Sequence, residues 1–84
     1  MGTVRGREVK FRIYPKDHLP IHAHGKIGKG EVIVEIRRGG AVALSTVHKD
    51  PVRGDVKDSE IVKVLEEAAD FQREIRAEWR RMQS

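Results

Sequence analysis

Hydrophobic and polar residues alternate along the first half of the chain. Val9, Phe11 and Ile13 are each followed by a charged or polar residue, which is the period-two pattern of a strand with one buried face. Three further segments are predicted to be strands, at residues 21–24, 31–36 and 41–47. Since the turns between them are short, the pattern predicts an antiparallel meander of three to four strands over about residues 8–47.

The last third of the chain has helical periodicity instead. Asp58 or Ser59 is the expected N-cap, because short polar side chains accept hydrogen bonds from the first backbone N–H groups of a helix. Apolar residues then recur at helical spacing and form one stripe: Ile61, Val64, Leu65, Ala68, Phe71, Ile75, Trp79 and Met82. Phe71 and Trp79 are the expected core anchors. The periodicity therefore predicts one long C-terminal helix over about residues 58–82.

These elements predict a single α+β domain over residues 1–84. The small antiparallel sheet packs on one side against the long C-terminal helix, and the polar residues 48–57 form the loop between them. The pair Gly39-Gly40 is expected to close a hairpin within the sheet, because paired glycines tolerate the positive φ angles of tight hairpin turns.

The composition excludes several classes of protein. The chain has 84 residues and no cysteine, which excludes a disulfide-stabilised secreted fold and a thiolate metal site. No apolar stretch approaches the roughly 20 residues that a membrane-spanning helix needs, and the first residues lack the apolar segment of a signal peptide. We therefore expect a cytoplasmic protein that does not associate with membranes.

Positive charge is concentrated in the predicted sheet. Residues 1–57 contain 12 Lys and Arg against 6 Asp and Glu, a net charge of +6, and residues 58–84 contain 5 against 7, a net charge of −2, which together give the +4 of the whole chain. A basic region of this kind attracts polyanions such as RNA, or an acidic partner protein. Ordinary solubilising charge is the alternative.

Three of the four histidines lie within seven residues, in the run Asp17-His18-Leu19-Pro20-Ile21-His22-Ala23-His24. Imidazole exchanges a proton near neutral pH and also binds metal ions. Period-two geometry places His22 and His24 on one strand face, which is expected to point away from the helix and to be uncovered. The same reasoning adds Lys10, Arg12, Tyr14 and Lys26 to this face, with Asp17 and His18 at its edge.

The first hypothesis for this face is acid–base chemistry on RNA. Cleavage of a phosphodiester through the 2′-hydroxyl needs a base, an acid and cations to stabilise the developing charge. His22 and His24 would be the base and the acid, and Asp17 or His18 would orient one ring. Arg12 would hold phosphate, and Lys10, Lys26 and Tyr14 would complete the substrate-binding surface. No cofactor is required.

A divalent transition-metal site is the second hypothesis. The His-x-His pair directs two imidazoles to one point, and His18 would be the third ligand of a site that uses His18, His22 and His24. Asp17 or Glu35 would add a carboxylate. A third hypothesis is a non-catalytic interaction module, in which the histidines are structural and a sheet edge pairs with a partner. His48 receives no role and is expected to be solvated unless the fold returns it to the other histidines.

The chain also resembles family 4160 of the domains of unknown function. The resemblance extends from about Val9 to Trp79 and rests on Phe11, Tyr14, the run from Asp17 to His24, Glu31, and the helical motif Glu74-Ile75-Arg76-Ala77-Glu78-Trp79. It implies a toxin-like component of a two-protein, toxin–antitoxin-like module, with a cognate small protein encoded nearby. It also implies that Asp17, His18, His22 and His24 belong to the site. Combined with the basic face, this predicts a protein that contacts or cleaves RNA, as a ribonuclease-like hydrolase if it is an enzyme.

Overall fold

The computed structural model describes residues 2–15 and 19–83, which form an antiparallel sheet and two helices. The elements in chain order are β1 (Gly2–Arg5), β2 (Lys10–Ile13), β3 (Ile21–Ile27), β4 (Gly30–Ile36), β5 (Val42–Leu44), β6 (Val52–Arg53), α1 (Asp58–Asp70) and α2 (Gln72–Gln83). The sheet order is β1-β2-β3-β4-β5, and β6 pairs with β4. Every pairing in the described part of the chain is antiparallel, so the α+β class and the predicted meander are confirmed.

The hydrophobic core lies between the helices and one face of the sheet. Alternate strand residues supply the sheet side of the core, among them Phe11, Ile13, Ala23, Val32, Val34 and Ile36. The helices contribute Val64, Ala68, Ile75 and Trp79. Trp79 is buried, as predicted for a core anchor, whereas Phe71 packs against the core from a partly buried position.

The prediction of one long helix is wrong, because the helix bends at Phe71, where the backbone has φ −107° and ψ 18°. α1 packs against β3, β4 and β5, whereas α2 packs against β1, β2 and β3. The strands of a sheet are rotated relative to one another, so a bend lets one apolar stripe follow both halves of the sheet. Neither helix of the described chain is long and apolar enough to cross a bilayer.

The N-cap prediction is also wrong by one residue. Lys57 is the N-cap of α1, ahead of Asp58 and Ser59. The carboxylate of Glu60 accepts a hydrogen bond from the Lys57 backbone N–H at 2.9 Å. This contact satisfies one of the backbone donors that the start of a helix leaves exposed, and it explains why a lysine is tolerated there.

The sheet has six strands rather than the three to four predicted. β1 precedes the predicted sheet, and β6 lies inside the segment 48–57 that was predicted to be a loop. The turn between β1 and β2 is held by the buried side chain of Glu67, which accepts hydrogen bonds from the backbone N–H groups of Arg7, Glu8 and Val9 at 2.7–3.3 Å. This contact between residues far apart in the chain fixes β1 against β2, and no pattern in the local sequence predicts it.

Candidate metal centre

The sheet face opposite the core carries the polar residues that the sequence grouped together. Arg12 pairs with His24 and Lys10 pairs with Lys26 across β2 and β3. His22 pairs with Glu35 across β3 and β4. Directly opposed residues in an antiparallel pair point to the same face, which agrees with the predicted grouping of both histidines with these cations.

His48 completes a cluster with His22 and His24. One ring nitrogen from each of the three lies within 4.8 Å of the others. The ring centroids are 4.9 Å apart for His22 and His48, 5.7 Å for His24 and His48, and 6.0 Å for His22 and His24. His48 was expected to be solvated unless the fold returned it to the other histidines, and the segment between β5 and β6 does carry it to the other two rings.

Glu35 anchors the segment that carries His48. Its buried carboxylate accepts hydrogen bonds from the Thr46 backbone N–H at 2.8 Å and the Thr46 hydroxyl at 3.0 Å, and it pairs with Arg37 Nε at 2.7 Å. Burial raises the pKa of Glu35, but the hydrogen bonds from Thr46 and the ion pair with Arg37 outweigh it and leave the pKa below its ordinary value. Glu35 was one of two carboxylates considered as an additional metal ligand, and in the structure its oxygens contact Thr46 and Arg37.

Each of the three histidines uses Nδ1 in a hydrogen bond. His22 Nδ1 lies 3.0 Å from the Pro20 carbonyl oxygen, His24 Nδ1 lies 2.7 Å from Glu31 Oε2, and His48 Nδ1 lies 2.7 Å from Ser45 Oγ. A carbonyl and an ionised carboxylate only accept, so the first two Nδ1 atoms carry protons. When such a ring is neutral, its Nε2 holds the lone pair that can bind a metal. Hydrogen bonds to Nδ1 commonly fix the tautomer and orientation of metal-binding histidines in this way.

Glu31 contacts both a histidine and a lysine. Its Oε2 accepts from His24, and its Oε1 accepts from Lys26 Nζ at 2.7 Å. Burial raises the pKa of Glu31, but the hydrogen bonds from Lys26 and His24 outweigh it, so the pKa lies below its ordinary value. The carboxylate is therefore ionised at neutral pH. Glu31 was noted in the sequence only as one of the residues that carry the family resemblance, and no role was predicted for it.

Aromatic side chains enclose two of the rings. Tyr14 meets His24 edge-on, with centroids 4.8 Å apart, and Trp79 meets His22 with centroids 5.2 Å apart. His22 is only 4% exposed, so the prediction of an uncovered histidine face is wrong at this position. Tyr14 and Trp79 instead hold the rings by packing, and the side chain of His24 is 12% exposed.

Two residues of the predicted site, Asp17 and His18, lie outside the described residues. The predicted metal set of His18, His22 and His24 therefore stays a prediction with respect to His18, and among the described residues the cluster consists of His22, His24 and His48. The only local sequence signal for His48 is Ser45 three residues earlier, whose hydroxyl also accepts the His48 backbone N–H at 3.3 Å.

The three rings lie close enough together to be candidates for holding one small divalent ion. A tetrahedral zinc ion with Zn–N bonds of about 2.0–2.1 Å separates its ligand nitrogens by about 3.4 Å. The ring nitrogens lie within 4.8 Å of one another, so the rings would have to move closer together to reach that spacing. Imidazole ligands suit zinc, copper and nickel.

Comparison of the chain with protein-family models, with curated proteins and with solved structures finds no match. The fold and the histidine cluster are therefore the basis for assigning a function.

Proposed function

We propose that this small α+β protein binds one divalent transition-metal ion through His22, His24 and His48. The observation that carries the proposal is the convergence of three imidazoles, each with Nδ1 engaged in an outer hydrogen bond. Three histidines are the protein ligands of one type of catalytic zinc centre, in which the fourth position takes water or substrate. Zinc is therefore the metal that we expect first.

The surroundings of the cluster support the same proposal. Glu31 is an ionised carboxylate in contact with His24, and such a partner fixes the orientation of a ring that binds a metal. Its negative charge also offsets part of the charge of a bound cation. The hydrogen bonds that Thr46 donates to Glu35 limit the freedom of the segment that carries His48, which lowers the entropy lost when a metal orders the site.

Metal content of protein purified without an affinity tag tests the proposal. Wild type is compared with the triple His22/His24/His48→Ala variant and with Lys49→Ala, a matched control that alters an exposed neighbour of His48. Circular dichroism verifies that all three are folded. We expect about one equivalent of zinc in wild type and in Lys49→Ala and none in the triple variant. Equal metal content in the triple variant, or no zinc uptake by the wild type on titration, would contradict the proposal.

A second candidate is metal-free cleavage of RNA by a toxin-like component of a two-protein module, as the sequence resemblance implies. The favouring observation is the pair His22 and His24, with ring centroids 6.0 Å apart and Arg12 directly opposite His24. His24, which contacts Glu31, would be the acid, and His22 would be the base. Acid–base catalysis by His22 and His24 does not require His48.

Toxicity on expression separates the two candidates. Acid–base cleavage predicts growth arrest that a co-expressed neighbouring protein relieves and that His22→Ala or His24→Ala abolishes, whereas His48→Ala retains it. Toxicity that disappears with His48→Ala, or on metal depletion, assigns the activity to the metal centre instead. Toxicity retained in both folded His22→Ala and His24→Ala eliminates the acid–base candidate.

A further inference from the structure

A row of charged side chains crosses the sheet beside the histidines. The strand register pairs Arg5 with Lys10, Lys10 with Lys26, Lys26 with Glu31, and Glu31 with Arg53. Opposed residues share a face, so this set, which we call the basic row, runs across β1, β2, β3, β4 and β6. With neighbouring strands about 4.8 Å apart, its four intervals cover about 19 Å.

The basic row lies on the same sheet face as the candidate metal centre. Lys26 follows His24 by two residues on β3, and Lys10 precedes Arg12 by two residues on β2, so each pair shares a face. Arg12 is itself opposite His24. A ligand that follows the basic row therefore passes directly beside the histidines.

The basic row carries positive charge that the protein compensates only in part. Like charges directly opposed across strands are destabilising, yet Arg5 faces Lys10 and Lys10 faces Lys26. Within residues 2–15 and 19–83, no hydrogen bond or ion pair joins the side chain of Arg5 or Lys10 to an acidic group. Glu31 is the one carboxylate in the row, and it is shared between Lys26 and His24.

We propose that the basic row binds the phosphodiester backbone of a single-stranded nucleic acid. A linear series of cations matches a polymer that carries one charge per nucleotide, and phosphate would supply the counter-charge that Arg5 and Lys10 lack. Arg5, Lys26 and Arg53 of the row are exposed, and Tyr14, a partly exposed aromatic ring, lies beside His24. Sheet surfaces that combine cations with aromatic rings suit single strands, whose bases are free to stack.

This proposal goes beyond the metal centre and does not depend on it. The cations of the basic row are positioned by β-strand pairing, and only Glu31 is common to the row and the metal centre. The row therefore binds the nucleic acid with or without metal. A nucleic acid bound there is placed for any chemistry that the histidines perform.

Fluorescence anisotropy of a labelled 12-nucleotide single strand, as RNA and as DNA of the same sequence, tests the proposal across a series of salt concentrations. With three to four phosphate contacts, log K is expected to fall against log salt with a slope of about −2 to −3, because each contact on a single strand contributes about −0.7. Arg5→Ala and Lys10→Ala are expected to weaken binding three- to tenfold and to reduce the slope by about 0.7 each. Tighter binding of RNA would identify a contact to the 2′-hydroxyl, and equal binding would identify the backbone alone; both support the proposal.

Arg73→Ala is the matched control, since it removes one exposed positive charge from α2, away from the row. The proposal is overturned if Arg73→Ala weakens binding as much as Lys10→Ala, or if neither nucleic acid binds at low salt. Equal competition by a polyglutamate peptide would assign the row to an acidic protein and would also overturn it. The triple His22/His24/His48→Ala variant, which is expected to lose metal, is expected to bind the strand as wild type does, so the two proposals fail separately.

Thermal stability supplies a check on folding. Lys10→Ala removes a charge that faces two like charges, so its Tm is expected to equal or exceed that of wild type. A loss of binding with an unchanged or raised Tm therefore reports the lost phosphate contact rather than unfolding.

Discussion

Glu31 Oε2 lies 2.7 Å from His24 Nδ1, and this contact joins the candidate metal centre to the basic row. The second oxygen of the same carboxylate binds Lys26 at 2.7 Å. One side chain thereby fixes the orientation of a proposed ligand and of a proposed phosphate contact. Burial opposes ionisation of this carboxylate, but the hydrogen bonds from Lys26 and His24 outweigh it, which agrees with the lowered pKa of Glu31.

Glu31→Gln is expected to weaken zinc binding about 10- to 100-fold without abolishing it, because outer-sphere partners of ligating histidines have effects of that size. Gln retains the shape and loses the charge that polarises His24. Competition against a chromophoric chelator measures the change. Glu60→Gln, which alters a carboxylate at the start of α1, is the matched control and is expected to bind zinc as wild type does. An affinity unchanged in Glu31→Gln would refute the role given to this carboxylate.

Glu35→Gln is expected to lower stability at neutral pH by about 1.5–3 kcal/mol, the range for a hydrogen bond to a charged group. The substitution removes the negative charge that Arg37 and Thr46 contact. Thermal unfolding of wild type and variant at pH 7, 5 and 3 measures both the loss and its dependence on pH.

The sign of that dependence follows from the lowered pKa of Glu35. A carboxylate with a folded-state pKa below the unfolded value of 4.5 contributes stability above the unfolded value, and this contribution is lost as pH falls through the folded-state pKa. The difference in Tm between wild type and Glu35→Gln is therefore expected to be largest near pH 7 and to shrink below about pH 4.5. A constant difference over this range would show that Glu35 acts through packing alone.

Trp79→Ala is expected to destabilise the fold by about 3–5 kcal/mol, the usual cost of truncating a buried large aromatic residue. Trp79 is part of the core and its ring also contacts His22. Urea unfolding followed by circular dichroism measures the loss, and Trp79→Phe is expected to lose less. Unfolding midpoints for Trp79→Ala that match wild type would show that the packing of α2 is misassigned.

Glu67→Ala is expected to lower the free energy of unfolding by about 3 kcal/mol, because it leaves buried backbone N–H groups without an acceptor. Since these groups are far from the histidines, the folded variant is expected to keep a zinc stoichiometry of one. The carboxylate accepts from the N–H groups of Arg7, Glu8 and Val9. Chemical unfolding and metal analysis of the same sample measure the two effects together. Loss of zinc from folded Glu67→Ala would mean that the metal centre depends on the β1–β2 turn.

The alternation of apolar and polar residues predicted which side chains of each strand face the core. Val32, Val34 and Ile36 point into the core, while His22 and His24 share the opposite face with Arg12. The helical stripe likewise identified Trp79 as a core residue. These features depend on the period of each element, which the local sequence contains.

The remaining features depend on contacts between distant residues. Nothing near Phe71 interrupts the apolar stripe, so the bend that fits two helices to a twisted sheet was not predicted. His48 reaches the other histidines because Glu35, 11 residues before Thr46, binds the segment that carries it. The turn held by Glu67 and the contact of Glu35 with Thr46, 11 residues later, leave no periodic signal in the sequence. For this reason β1 and the position of His48 were not predicted.

The most direct test of the metal centre compares zinc affinity in His48→Ala and Lys49→Ala. The first removes a proposed ligand that the fold brings to the cluster, and the second alters its exposed neighbour. Competition titration with zinc on tag-free, folded protein is expected to show a loss of at least tenfold for His48→Ala and wild-type affinity for Lys49→Ala. Wild-type affinity in His48→Ala would contradict the proposed centre of His22, His24 and His48.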